Sequence, residues 1–549
     1  MKSEFTWSHG YEPAKKYSKK VAYFSMEFAI DQALKTYSGG LGYLAGSHMK
    51  SAYALKQNMI GIGMLWKEGY YDQLRDENGY MRVHYQNRTY SFLEDTGIIV
   101  KVLVNGHEVH VKAMYLAPEI FSTVPMFFLT TDLPENDFLA KSIVHRLYHP
   151  ADEARIAQNI VLGIGGSKVI EELGGVDLFH MNEAHSLPIA CHLYQKFQDV
   201  SEVQKRLVFT THTPEKAGNS VRSIHLLTEM GFFNGIDADT AREITQMYSD
   251  NFEYTPAALR MAKVANGVSK LHGKVAKEMW KSYSGVCPIT SITNAQNQNY
   301  WQDKELRAAL DAGDDKALIR RKKLLKKELF KIVADQTGKI FNEDTLTIVW
   351  ARRFAEYKRA DMIARDLERF LDLLGGDQPV QMIWSGKPYP EDRGAINMFN
   401  NMITVSRMHP NAAVLTGYEL ELSAALKKGA DIWLNNPRRP QEASGTSGMT
   451  AAMNGAINLS TNDGWIPEFA KDGKNCFVIP EADLSTPIVE QDTHDYFHLL
   501  RMLEDEIVPM YYKKPKSWLK IVKGSISDVT PQFDSDRMAA EYYDKLFNL

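Results

Sequence analysis

The sequence predicts an α/β protein made of two doubly wound halves that face one another across a cleft. Three observations carry that prediction. Short runs rich in β-branched and aromatic residues, VAYFSMEFAI at 21–30 and TLTIVWARRF at 345–354, each open a series in which strand-like and helix-like spacing alternate. A glycine loop, TYSGGLGYLAG, stands between the first such run and a helical stretch, as in a βαβ unit whose helix head approaches a ligand. At 549 residues the chain is too long for one hydrophobic core.

In chain order, the first run is read as a buried strand and HMKSAYALKQ after the glycine loop as a helix. MIGIGMLW at 59–66 supplies the second strand. YDQLRDENGYMRVHYQ and GIIVKVLVNGHEVHVKAMYL alternate around NG turns and predict β-hairpins, placed as an antiparallel insertion on the first domain. ADEARIAQNIVLGIGGSKVIEEL reads as one long helix. DLFHMNEAHSLPIACHLYQKF, RLVFTTHTPEKAGNS and ANGVSKLHGKVAKEMW continue the strand–loop–helix series. Residues 300–336 are charged and helical, the mark of a solvated helix face linking domains. PVQMIWSGKP, NAAVLTGY, ADIWLNN and AINLSTND then add strands, and DSDRMAAEYYDKLFNL forms a closing helix able to cross back to the first domain. The expected division is 1–298 and 299–549, each half Rossmann-like.

Composition narrows the partners. A net charge of −4 gives no basic field for nucleic acid or anionic membrane, so small or neutral partners are expected. Three widely spaced cysteines lack metal-ligand spacing and fit a reducing cytoplasm, so neither a disulfide framework nor a metal site is expected. No apolar run reaches the roughly 18 residues of a membrane span, and the first twenty residues lack the apolar core of a leader. A cytoplasmic protein is expected, with the oligomeric state open.

The stretch 433–465, WLNNPRRPQEASGTSGMTAAMNGAINLSTNDGW, concentrates the chemistry. A strand, a turn carrying Glu442, and a helix whose first turn is rich in small residues bring free backbone N–H groups together where an anion can approach, at the Ser444–Met449 turn. A helix cap built of small residues is the simpler alternative. Arg352, Arg353, Lys358 and Arg359 follow the strand TIVWA, where side chains reach the ligand edge of an open sheet. Guanidinium forks and a lysine charge there suit phosphate, with a solvated surface patch as the alternative. No pair of carboxylates stands out as a hydrolase acid and base.

Taken together, YFSMEF, SGGLG, TTHTP with AGN, NGVSKLHG, ARRFAEYKR, LNNPRRP and EASGT resemble, in order, segments of the shorter α-glucan (glycogen, starch, maltodextrin) phosphorylases. The resemblance implies a GT-B type architecture and a hexosyltransferase that moves glucosyl units, with retention, between an α-1,4-glucan or maltooligosaccharide and phosphate or glucose 1-phosphate. It implies that Arg353 and Lys358 bind phosphate beside Tyr357, that Glu442 hydrogen-bonds glucose hydroxyls, and that Ala443, Ser444, Gly445 and Thr446 contact the sugar. It also implies that His212 lies beside the glucose, that Asn294 touches it although the following residue is Ala295, and that Gly40 and Leu41 line the sugar and phosphate. Glu183 and His185 are second-choice site residues. In that family a lysine after EASGT and Met carries pyridoxal phosphate, whose phosphate acts on the substrate phosphate. Here that position is Thr450, which has no amine, so no covalent cofactor is expected. An anion at the turn, pyridoxal phosphate held without a bond, or a nucleotide sugar remain open. Two other functions share these residues: a nucleotide-sugar-dependent α-glucan synthase and an inactive glucan-binding homologue.

Overall fold

A computed structural model describes residues 5–549. The chain divides into two compact units. The first comprises 1–71, 85–294 and 535–549, and the second 72–84 and 295–534.

The first unit is built on a nine-stranded sheet. From edge to edge its strands are Ile289–Ser291, Val264–Gly267, Leu207–Thr210, Leu178–Asn182, Val21–Phe24, Met59–Met64, Met126–Thr130, His107–Leu116 and Glu94–Val104. The strands from Ile289–Ser291 through Met126–Thr130 are parallel. Their runs are apolar because helices cover both faces of such a sheet. The last two strands are antiparallel, joined at Asn105 and Gly106, both at positive φ as a tight hairpin turn demands. Glu94–Val104 alternates strictly between exposed and buried positions over its last nine residues, as expected of an edge hairpin with one wet face. Without that hairpin, the strand order is that of a doubly wound fold. It reverses between Val21–Phe24 and Leu178–Asn182.

The opening strand is shorter than its apolar run suggests and stops at Phe24. Residues 25–30 remain buried but turn away beneath helix α1 (Gly40–Ala54). The helix lies so close that a Cβ on Gly46 would sit 2.0 Å from the Ala29 carbonyl oxygen. The expected long helix at 151–173 forms as Asp152–Glu172 with a widened turn at Val161–Gly165.

The second unit carries a six-stranded parallel sheet in the order Ala412–Leu415, Val380–Ser385, Leu346–Ala351, Ile432–Asn435, Ile457–Thr461 and Cys476–Ile479. Numbered from its first strand this is 3-2-1-4-5-6, with the reversal between Leu346–Ala351 and Ile432–Asn435. Its core joins Leu329 and Val333 to Val349, Ile383 and Leu415 of the sheet. It also takes in Leu422 and Leu426 of helix α2 (Leu420–Gly429) and Ala451 of helix α3 (Ser447–Met453).

Two expectations change. The ribbon Asp72–Arg75 with Met81–His84, read from sequence as part of the first domain, belongs to the second unit, where Gln73 donates to the Gly386 carbonyl oxygen and accepts from Gly417 N–H. The charged helix Asp315–Thr337 is more than a solvated link. It buries Leu325, Leu329 and Val333 and inserts Lys326, whose ammonium meets Asp431 at 2.5 Å.

Candidate active site

In an open parallel sheet, ligands bind beyond the carboxyl ends of the strands at the point where strand order reverses. In the second unit that point lies between Ala351 and Asn435, so the chain segments leaving those two strands supply the site.

Arg352, the first residue past its strand, is buried, as is Lys358, while Arg353 is exposed. Glu442 stands opposite them. Its Oε2 accepts from Lys358 Nζ at 2.7 Å and from Arg352 Nη2 at 3.1 Å, and its backbone N–H donates to Asp463 Oδ2 at 2.9 Å. Burial pushes the Glu442 carboxyl up, but the charges of Lys358, Arg352 and Arg353 outweigh it and hold the group below its ordinary range. At Asp463 burial, with the neighbouring Glu442 charge, outweighs two backbone N–H bonds and the Arg439 charge and raises the carboxyl to about 6. The Lys358 ammonium also lies 4.8 Å from the centre of the Tyr357 ring.

Arg352 still has N–H groups to offer. Its Nε and Nη1 are buried without a hydrogen-bond partner, and so is Ser444 Oγ. A buried guanidinium spends its donors unless a ligand is meant to take them, because each unmet polar group costs about 1–3 kcal/mol. Arg359, by contrast, is fully committed. It donates to the carbonyls of Asn436 and Pro437 and to Asp492 and Asp495, all at 2.8–3.0 Å. The four-residue basic cluster read from sequence is therefore two buried groups beside Glu442, one exposed arginine and one structural strut.

The segment from Ala443 to Thr446 bends tightly. Gly445 has φ +79, and a Cβ there would press within 3.3 Å of the Glu442 side chain, so glycine keeps the carboxylate in place. Helix α3 follows with only seven residues. Thr450 is completely buried within it. Its Oγ1 donates to the Ser447 carbonyl at 3.0 Å.

The first unit has its own reversal point, between Phe24 and Asn182. Just past Phe24 is Glu27, a residue to which the sequence reading gave no role. Its carboxylate accepts from Ser38 N–H at 2.7 Å, Gly39 N–H at 3.0 Å, Ser38 Oγ and the Tyr148 hydroxyl at 2.7 Å. That network fixes the turn that starts α1, leaving Gly40 exposed and Leu41 half-buried at its head. A Cβ on Gly42 would lie 2.7 Å from Glu27 Oε2. Past Asn182, Glu183 takes φ +70 and turns its carboxylate onto the N–H groups of Ala184 and His212 and the Thr213 hydroxyl. The His212 ring meets Asn182 Oδ1 through Nε2 at 2.7 Å, and burial lowers its pKa to about 3, so the ring is neutral. His185 is likewise lowered to about 4. Asn294 is buried with Oδ1 unpartnered. Thus Gly40, Leu41, Glu183, His185, His212 and Asn294 belong to one unit and Arg353, Tyr357, Lys358 and Glu442–Thr446 to the other.

Among the described residues no cluster of His, Cys, Asp or Glu could hold a metal, and no helix is long and apolar enough to cross a membrane.

Comparison with known proteins gives this geometry a family. The family described as carbohydrate phosphorylase matches residues 289–479, which include the second sheet and its reversal point. An uncharacterised protein of Methanocaldococcus jannaschii is 46% identical across 96% of this chain and 100% of its own length. The maltodextrin phosphorylase of Thermococcus litoralis is 32% identical across 100% of this chain and 72% of its own length. The chain belongs to the carbohydrate phosphorylase family. A glycogen phosphorylase of Aquifex aeolicus, 30% identical over 97% of this chain and 86% of its own, extends the same relationship. This is a family of hexose-transferring enzymes.

The cofactor implied by the resemblance can be tested against these residues. At position 450 the link does not fit, because the only functional group is a hydroxyl already donating to its own helix. An anionic group does fit beside Arg352, where two N–H donors stand open.

Proposed function

We propose that the protein is an α-glucan phosphorylase, transferring a glucosyl unit reversibly and with retention between an α-1,4-glucan end and phosphate in the cytoplasm. The observation that carries this reading is the open pair of donors on buried Arg352, beside Lys358 and Glu442. Charge-assisted hydrogen bonds to an anion are the natural use of such donors.

In this reading, phosphate lies against Arg352, Arg353 and Lys358, with the Ser444–Met449 turn as a further source of N–H groups. It protonates the leaving glucan oxygen and then attacks the oxocarbenium-like sugar from the same face. The fixed cations stabilise the charge that builds on phosphate without reorganising. Glu442 stays ionised because of its two cationic partners and accepts sugar hydroxyls through its remaining acceptor capacity. The neutral His212, the Gly40–Leu41 turn held by Glu27, Asn294 and Glu183 are the first unit's groups for the sugar, and Tyr357 stands beside Lys358 in the second. A bound pyridoxal phosphate would supply a second phosphate as proton partner for the first. The reaction proceeds without any bond to a cofactor at residue 450. The GT-B architecture expected from the sequence enters as part of this proposal.

The test is to offer maltooligosaccharide with either glucose 1-phosphate or a nucleotide glucose. Extension with glucose 1-phosphate alone is expected. Extension with the nucleotide sugar alone would make the protein a synthase, and extension with neither would make it a glucan-binding homologue.

A further inference from the structure

Three hydrogen bonds tie the segment that carries Glu442 to the segment leaving the next strand, Ile457–Thr461. Thr461 Oγ1 donates to the Pro437 carbonyl at 3.0 Å, the Glu442 N–H donates to Asp463 Oδ2 at 2.9 Å, and the Trp465 N–H donates to the Ser444 carbonyl at 3.0 Å. The second segment is itself firmly seated. The Trp465 indole is fully buried, with the ring centres of Phe469 and Phe533 at 4.6 and 4.8 Å. The two segments lie so close that a Cβ on Gly464, at φ +63, would collide with the Ser444 carbonyl oxygen.

Of the three bonds, only the middle one involves a titratable side chain. Asp463 is 1% exposed and gives one oxygen to each of two backbone donors, Oδ2 to Glu442 N–H and Oδ1 to Gly464 N–H, both at 2.9 Å. A protonated acid or an amide offers one carbonyl oxygen and turns a donor toward the other N–H, so only the carboxylate serves both. Keeping that charge is unfavourable here. Glu442 faces it with a like charge, Arg439 acts on it but is already paired with Glu481 at 2.8 Å, and Lys358, Arg352 and Arg353 spend their charge on Glu442. Burial and the Glu442 charge favour the neutral form, so at neutral pH the folded protein carries an ionised Asp463 against its own stability. A charge kept at such a cost points to a functional task.

On the phosphorylase reading given above, we propose that Asp463 is the positioning residue of the sugar-holding carboxylate: by taking the Glu442 N–H it sets the place from which Glu442 receives glucosyl hydroxyls, and a proton on Asp463 loosens that hold. Asp463 touches no substrate and acts only through Glu442. The Lys358 and Arg352 contacts fix one oxygen of the Glu442 side chain, and the Asp463 bond fixes the backbone from which that side chain springs. Acid therefore weakens glucosyl binding well before Glu442 itself is protonated, because the cations hold Glu442 below its ordinary range.

The experiment measures kcat/KM for glucose 1-phosphate, with maltopentaose as acceptor, from about pH 5 to about pH 8. It compares the full-length wild type with Asp463→Asn, Glu442→Gln and the double variant. At the alkaline end Asp463→Asn should lose about tenfold, the scale of one hydrogen bond to a charged group. The ratio of wild type to Asp463→Asn, from which ionisation of the substrate cancels, should fall toward unity as pH drops through about 6. The double variant should be no slower than Glu442→Gln, and the Asp463→Asn melting temperature at neutral pH should not be lowered. Wild-type activity in Asp463→Asn, a ratio that stays constant with pH, additive losses in the double variant, or a melting temperature that falls with activity would each overturn the proposal. If Asp463→Asn does not fold, the wild-type lead over Glu442→Gln must shrink over the same pH range, and a constant lead would overturn it. Failure of the phosphorylase reading looks different: no extension from glucose 1-phosphate at any pH, or a fully active Glu442→Gln. A damaging Glu442→Gln beside a harmless Asp463→Asn leaves that reading standing and removes Asp463 alone.

Discussion

Arg352→Met is the sharpest probe of the anion site. Methionine keeps much of the apolar stem and removes the guanidinium, so two open donors and one ion pair are lost together. Glu442 keeps its 2.7 Å contact with Lys358, which spares it an unpaired burial. The fold should therefore lose little, about 1 kcal/mol, and the variant should even shed the cost of two unmet donors. Function should lose much more. A hydrogen bond between charged groups contributes about 1.5–3 kcal/mol, and losing two such bonds to phosphate implies at least about 3 kcal/mol of transition-state stabilisation. That corresponds to roughly a 10²-fold fall in kcat/KM for phosphate. Glucose 1-phosphate release from a maltooligosaccharide over a range of phosphate concentrations measures it, with a thermal melt on the same sample. A folded variant with unchanged kcat and unchanged phosphate KM would show that the open donors face no substrate, and the argument for phosphate at this site would fail.

Three further outcomes are expected. Glu442→Gln should weaken glucosyl binding more than phosphate binding, since the amide loses the charge and one acceptor while the cations remain; equal changes in both KM values would make Glu442 a structural partner only. Arg359→Met should destabilise the second unit by about 3–5 kcal/mol, on the order of 10 °C in Tm, because it strands buried Asp495 and two carbonyls, and a melt within a degree of wild type would refute the strut. Asp463 has a raised folded-state pKa, so the stability it favours is fully present below its unfolded value near 4 and is lost as pH rises through about 6, at most about 3 kcal/mol; denaturant titrations at pH 4 and pH 7 on wild type and Asp463→Asn should show that slope only in the wild type.

Much of the fold was legible because parallel strands covered on both faces read as unbroken apolar runs. Leu346–Ala351 and Val380–Ser385 are fully buried along their whole length and could hardly be anything else. The same property misled at 25–30, where burial beneath α1 gives the composition of a strand without a neighbouring strand to pair with. The ribbon at 72–84 was recognisable from its turn, but its destination depends on contacts such as Gln73 with Gly386, which lie more than 300 positions apart and leave no local signal. The basic cluster was visible as composition, yet which member is buried is settled by where the strand stops. Ala351 ends the strand, so Arg352 turns inward and Arg353 outward, while Arg359 is claimed by acids some 130 residues later. Glu27 sat in a quoted motif and was passed over, because a carboxylate that takes backbone N–H groups from a loop eleven residues on looks like any other acid in sequence.

Residues 535–549 close over the first unit. Ser535 Oγ meets Ser51 Oγ at 2.6 Å, the Ala539 carbonyl takes a bond from Gln57, and the Tyr542 hydroxyl reaches both Thr210 and Asn266. Tyr542 also lies against His48 and His180. During synthesis on the ribosome, some 240 residues of the second unit must emerge between Asn294 and Ser535 before this lid exists. The larger sheet is therefore translated first and sealed last. Over that interval the first unit lacks the contacts that Ser535, Ala539 and Tyr542 supply, so its folding is completed only after the second unit has been translated.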